Sequence, residues 1–174
     1  MGRPIDDVDR AIIACLQQDS RTPSAEIART VGVAERTVRA RIDRLAQDDV
    51  IRLVAVINPR ALGYSVVADV FLEVEVGRVQ EVAREVAAIE EVGYVGLTTG
   101  DRDIGLQVFA PSVDVLYDFV TEKLNHIPGV VRARTFVIPR VIKSIYQWAL
   151  PSYLPGEGYP TEPVGPGAAS RRRG

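Results

Sequence analysis

The sequence predicts an α+β protein: an N-terminal winged helix-turn-helix followed by a ferredoxin-like βαββαβ domain. Three features carry that expectation. Residues 22–45 hold two helical patterns joined by a short turn at Val31-Gly32-Val33, and the second pattern is rich in arginine. From Val66 the apolar period changes from helical to strict alternation. Beyond it, strand and helix patterns follow in the order β-α-β-β-α-β.

Asp6 is placed to cap a first helix, with Asp7 and Asp9 favourable near its positive end. Val8, Ile12, Cys15 and Leu16 form its buried stripe, and Gln17 to Ser20 end it. Thr22 followed by Pro23 reads as a cap and a first-turn proline for the second helix, whose Ile27, Ala28 and Val31 share a face. In the third helix Val38, Ile42 and Leu45 sit at i, i+4 and i+7. The opposite side presents Arg36, Ala40, Asp43, Arg44 and Gln47, flanked by Thr37 and Arg39. The helix fades at Asp48-Asp49. Ile51 to Ile57 is β-branched and reads as a strand, the wing, stopped by Asn58-Pro59, with Arg52 near a phosphate backbone.

In the second half, Val66, Ala68, Val70, Leu72, Val74 and Val76 alternate with Val67, Asp69, Phe71, Glu73 and Glu75, a half-buried strand. A helix with Val79, Val82, Val86 and Ile89 follows. A strand near Tyr94 to Thr99 leads to a turn at Gly100-Asp101-Arg102, and the next strand puts Ile104, Leu106, Val108 and Ala110 on one face. A helix with Leu116, Phe119, Val120 and Leu124 and a strand over about Val130 to Ile138 complete the pattern. With both helices on one sheet face, the other carries Phe71, Phe109, Arg132, Arg134 and Phe136. Single surface aromatics are ordinary, but three of the four phenylalanines on one open face predict a self-association surface of Phe71, Phe109 and Phe136.

At 174 residues and net charge -2 the chain is no polycation. Residues 1–60 hold ten arginines against nine acids, net +1, too small an excess to argue from. The argument rests on where the arginines sit. Arg36, Arg39, Arg41 and Arg44 are all arginine, which suits bidentate contact with phosphate or guanine. An amphipathic helix with a solvated charged face is the plainer alternative. The short, tightly joined helix pair favours double-stranded DNA as partner. Base contacts are then expected from Arg36, Thr37 and Ala40, while Arg39, Arg41 and Arg44 hold phosphates or structure. One cysteine, Cys15, excludes an internal disulfide and a multi-thiolate metal site. No phosphate loop, Ser-His-Asp set or metal cluster is visible, and no cofactor is expected. No signal segment or apolar run of about 18 residues occurs, so a cytoplasmic protein with no membrane partner is expected.

Taken together, residues 6–140 resemble the Lrp/AsnC family of transcriptional regulators. The carrying pieces are Asp6-x-x-Asp9-x-x-Ile12-Ile13, Asp19-x-Arg21, Glu26-Ile27-Ala28 and Val31-Gly32-Val33. Thr37-Val38-x-x-Arg41-Ile42-x-x-Leu45 resembles the family's recognition helix and Val50-Ile51 its exit. Thr99-Gly100-Asp101-Arg102-Asp103 and Ile127-Pro128-Gly129-Val130 match its effector domain. The resemblance implies a homodimer that assembles further, often as an octamer of four dimers. It also implies a small effector, usually an amino acid, at Thr99, Gly100, Asp101 and Asp103. Two positions depart from the pattern. Ala34 stands where a capping Ser is usual, and Asp49 where Gly is usual; Asp can adopt the left-handed conformation, at some cost.

The expected domains are a DNA-binding part over 1–60, a ligand-binding and oligomerisation part over 61–150, and a disordered Pro/Gly-rich tail over 151–174. Two other readings fit the architecture. One is an enzyme resembling haem-precursor decarboxylases, for which the single histidine, His126, is the candidate group, although a polar helix-end residue is its plainer reading. The other is an effector-free DNA-packaging protein.

Overall fold

A computed structural model describes residues 4–151. They divide into two compact units, residues 4–55 with 145–151, and residues 56–144.

In the first unit, α1 (Asp7–Gln18), α2 (Ser24–Val31) and α3 (Glu35–Gln47) enclose a small core of Ile12, Leu16, Ile27, Ala28 and Val38, with Cys15 at its margin. The Asp6 cap is present as a full capping box: its side chain accepts from the Asp9 N–H, and the Asp9 side chain accepts from the Asp6 N–H. The start of α2 differs from expectation by one residue. Pro23 is the cap, with no side-chain bond to the helix, and the Thr22 hydroxyl instead donates to the Asp19 carbonyl at 2.8 Å. Proline suits that position because it has no N–H to donate there. Gly32 ends α2 at φ 77°, which lets the chain reverse into α3 within a short turn. Ala34 gives α3 no side-chain cap, and Asp49 adopts φ 55° just beyond α3, so both expected departures have structural consequences.

The predicted wing strand is absent. Residues 51–58 carry no regular structure in the described chain, and Leu53, Val54, Val56 and Ile57 are exposed. β-Branched composition expresses a preference for a pleated, half-buried surface; it supplies no hydrogen-bonding partner. Residues 145–151 group with the helices rather than with the sheet. Gln17 Nε2 donates to the Trp148 carbonyl at 3.0 Å, Gln17 Oε1 accepts from the Leu150 N–H at 3.5 Å, and Arg10 Nη1 donates to the Pro151 carbonyl at 2.9 Å. Most of the 151–174 tail lies outside the described residues.

The second unit runs β1 (Val66–Val74), α4 (Val79–Ala87), β2 (Val92–Leu97), β3 (Ile104–Ala110), α5 (Val113–Asp118) and β4 (Val130–Ile138). A single π turn, Phe119–Lys123, and a 3-10 turn, Leu124–His126, extend α5. The sheet order β2-β3-β1-β4, antiparallel throughout, is the ferredoxin-like arrangement. One face is covered: Val70, Leu72, Ile104, Leu106 and Val108 pack against Val82 and Val86 of α4 and against Leu116, Phe119 and Leu124. Phe71, Phe109 and Phe136 project from the other face, as the alternation required.

Candidate DNA-reading helix and ligand cleft

The four arginines of α3 sort into two pairs. Arg41 Nη1 donates to Asp6 at 2.6 and 2.7 Å and to Asp9 Oδ1 at 2.9 Å. Arg44 Nη2 lies 2.6 Å from Asp9 Oδ2, held by charge rather than by a well-aligned hydrogen bond. Asp9 is fully buried and its partners only 20% and 25% exposed, so this is an internal clamp from α1 to α3. Burial opposes the Asp9 charge, yet the Arg44 guanidinium, the Asp6 N–H and Arg41 outweigh it and hold the carboxyl below its ordinary value. Asp6 and Asp9 together raise Arg41 above its already high value.

Arg44 therefore turns in from the outer side where periodicity put it, and of the two expected roles, phosphate or structure, Arg41 and Arg44 both hold structure here. The buried Asp9 carboxylate, with half-buried Asp6 beside it, draws them inward, because an unpaired buried charge is far costlier than a lost surface contact. Arg36, Arg39 and Ala40 are exposed and Thr37 is half-buried. Arg39 donates to Glu35 one turn earlier. Arg36 makes no ion pair among the described residues. Arg52, expected beside a phosphate backbone, bonds Asp49 at 2.8 and 3.0 Å and stays exposed.

In the second unit, the β2–β3 turn and the open sheet face form a cleft of about 280 Å³, lined by Phe71, Thr98, Gly100, Asp101, Arg102, Arg134 and Phe136. Register explains the juxtaposition: Phe71 of β1 is paired with Arg134 of β4 and, on its other side, with Gly105 of β3. The Phe71 and Phe136 rings meet edge to face, 5.9 Å apart at 75°. Thr98 fastens the turn by donating its hydroxyl to the Arg102 carbonyl. The Arg102 side chain lies low across the turn, 13% exposed, between Asp101 and Glu73. The cleft thus offers a carboxylate, two guanidinium groups and two aromatic walls. That chemistry suits a small zwitterion with an apolar side chain.

Of the expected effector residues, Gly100 and Asp101 line this cleft and Thr99 does not. Asp103 is committed elsewhere. Its Oδ2 accepts from the Val74 N–H at 2.8 Å, while its own N–H donates to the Leu72 carbonyl. It prolongs the β1–β3 ladder by a side chain, beside the register shift between Glu73 and Val74, because a backbone N–H at a strand end needs an acceptor.

On the open face Phe136 is 56% exposed, and Tyr94, which the sequence reading passed over, is 58% exposed. Phe109 is half-buried because its ring lies over Gly93, where any Cβ would collide with it. His126 ends the 3-10 turn and does not line the cleft. Three further elements of the sites escaped the sequence reading. Asp6 as a cap and Asp9 as a first-turn charge are legible in sequence, but not that both carboxylates face α3. Arg134 was placed on the open face but not in the cleft. Glu35 carried no signal beyond its position four residues before Arg39.

Comparison with known proteins agrees with this architecture. Residues 5–46 match the AsnC-type helix-turn-helix domain, and residues 67–148 match the Lrp/AsnC ligand binding domain. An HTH-type transcriptional regulator of Pyrococcus horikoshii is 39% identical over 140 residues, 80% of this chain and 89% of that protein. The HTH-type transcriptional regulator FL11 of Pyrococcus abyssi is 36% identical over 140 residues, covering 80% and 92%. Among solved structures, AsnC of E. coli superimposes with a TM-score of 0.77 at 24% identity, covering 83% of this chain and 99% of that one. A transcriptional regulator of Neisseria meningitidis, solved as an L-Met complex, gives 0.78 at 22% identity, covering 85% and 97%. A helix-turn-helix unit beside a ligand-binding ferredoxin-like unit defines a transcriptional regulator with a ligand-binding domain. The chain belongs to the Lrp/AsnC family of such regulators. No helix among the described residues is long and apolar enough to cross a membrane.

Proposed function

We propose that the protein is a sequence-specific DNA-binding regulator whose assembly or DNA affinity is set by an amino acid bound at the β2–β3 cleft. The observation that carries this reading is the sorting of the α3 arginines. Arg41 and Arg44 fasten the helix from within, which leaves Arg36, Thr37 and Ala40 at its outward start, the part that meets base edges in helix-turn-helix readers. The ligand class follows from Arg134 and Asp101 flanking Phe71 and Phe136, which match a carboxylate, an ammonium and an apolar side chain. The neisserial regulator of similar fold binds L-Met, which supports the same class. Two copies joined through the open face around Phe71, Phe109 and Phe136 would present paired readers to paired half-sites. The protein works in the cytoplasm, where its DNA lies, and higher assembly to an octamer builds on the same dimer.

The test is selection of bound fragments from sheared genomic DNA, with each protein amino acid present in turn. Recovery of one or a few fragments, with retention altered by a particular amino acid, supports the reading. Uniform recovery of all fragments, insensitive to every amino acid, favours DNA packaging and overturns it.

A further inference from the structure

We propose that Glu35 is a base-reading residue that selects cytosine, with Arg39 as the group that positions it. The inference rests on the reading of α3 as the helix that enters the major groove. Glu35 is the first residue of α3 and shares a shallow hollow of about 300 Å³ with Arg36 and Arg39. Arg39 donates from Nη2 to Glu35 Oε1, an i,i+4 bond on the helix surface. On an ordinary exposed helix such a pair adds slight support and nothing more. Its place on this helix gives it a second meaning.

The outward side of α3 carries Arg36 and Arg39 against Glu35 and Asp43. Arg44, which would have made it basic, is held inward by Asp9. The reading face is therefore balanced in charge. A face made for phosphate would exclude carboxylates, since each one repels the DNA backbone. A carboxylate at the base-edge end of a recognition helix needs a donor in the groove, which cytosine and adenine present and guanine and thymine do not. Cytosine presents its N4 amino group and Glu accepts from it, whereas adenine sets its N7 acceptor beside its N6 donor, where it repels the second carboxylate oxygen. The bond to Arg39 uses Oε1 and fixes the carboxylate on the helix. Among the described residues no second donor reaches Oε2. Arg36, adjacent in the same hollow, is the complementary reader of guanine.

The experiment is selection from a random duplex library with the full chain, comparing the parent with Glu35→Ala, Glu35→Gln and Arg36→Ala at one fixed salt concentration. The parent is expected to recover half-sites with cytosine at one position. Glu35→Ala should become indifferent there, losing roughly fivefold or more of the discrimination, the lower end for one base contact. Glu35→Gln should shift that position toward adenine, because a carboxamide both donates and accepts. Arg36→Ala should disturb a different position. Both Glu35 variants should also bind random duplex more tightly than the parent. Unchanged thermal midpoints in the Glu35 variants would show that the helix itself is intact. If the parent selects a sequence and Glu35→Ala selects the same one, the assignment is overturned while the regulator reading stands. If the parent selects no sequence at all, the regulator reading fails and Glu35 with it.

Discussion

Asp9 of α1 and Arg44 of α3 meet at 2.6 Å, and the same buried carboxylate accepts from Arg41 at 2.9 Å. One side chain thereby fixes where the recognition helix lies against the first helix, at a junction whose apolar core is small.

Replacing Asp9 by Ala should destabilise the helical unit by about 3 kcal/mol, because it strands the partly buried Arg44 and leaves Arg41 with Asp6 alone. Urea unfolding measures this directly. The pH dependence has a definite sign. The folded Asp9 carboxyl is held below its ordinary value, so its contribution is fully present above the unfolded value and is lost as pH falls through the folded one. Parent stability should decline on acidification below about pH 4, and Asp9→Asn should flatten that decline. An equally steep acid limb in the variant would assign the linkage to another group.

Arg36→Ala should weaken operator binding by about 1–3 kcal/mol and relax preference at one base pair. Arg41→Ala should instead lower stability, because its partners lie inside the protein. Binding titrations at fixed salt, paired with thermal melts, separate the two outcomes. Equal loss of DNA affinity without loss of stability in Arg41→Ala would place that residue on the DNA after all.

Phe71→Glu should split the proposed dimer, since it buries a carboxylate against the Phe136 ring and an apolar partner face. DNA affinity should fall with it, because paired half-sites need paired readers. Sedimentation velocity reads the outcome; a fully dimeric variant defeats the open-face interface.

Asp101 and Asp103 are two residues apart, and their expected phenotypes are opposite. Asp101→Ala should weaken amino-acid binding with little change in stability, because that carboxylate is 86% exposed at the cleft. Asp103→Ala should leave the Val74 N–H without its acceptor and cost about 1–3 kcal/mol of stability. Calorimetry with the amino acid found by thermal-shift screening, alongside urea unfolding, distinguishes them. Wild-type ligand affinity in Asp101→Ala would remove it from the site.

Much of this was written in local order. The period-two run from Val66 to Val74 specified a strand with one buried face, because alternation along a strand is fixed by backbone geometry. The Asp6 cap, the reversal at Gly32, the missing cap at Ala34 and the left-handed Asp49 were legible for the same reason: each depends on a few adjacent residues and their own dihedral preferences. The order of strands and helices then left the ferredoxin-like arrangement as the natural packing, with three phenylalanines on the uncovered face.

Tertiary structure decided what depends on partners distant in sequence. Periodicity assigned Arg44 to the outer side of α3, but a buried carboxylate on α1, 35 positions earlier, turned it inward. Residues 51–57 had the composition of a strand and no partner to pair with, so composition alone could not make one. Asp103 had the chemistry to hold an ammonium group, yet a neighbouring strand's free N–H claimed it. Arg134 reached the cleft only because β4 pairs with β1 in a register that sets it opposite Phe71. Sequence by itself determined which elements form and which faces they bury, since those follow from short-range dihedral and hydrophobic periodicity. Which charged side chains remain available for function was settled only by folding, because a charge commits to whichever opposite group the fold brings within a few ångströms of it.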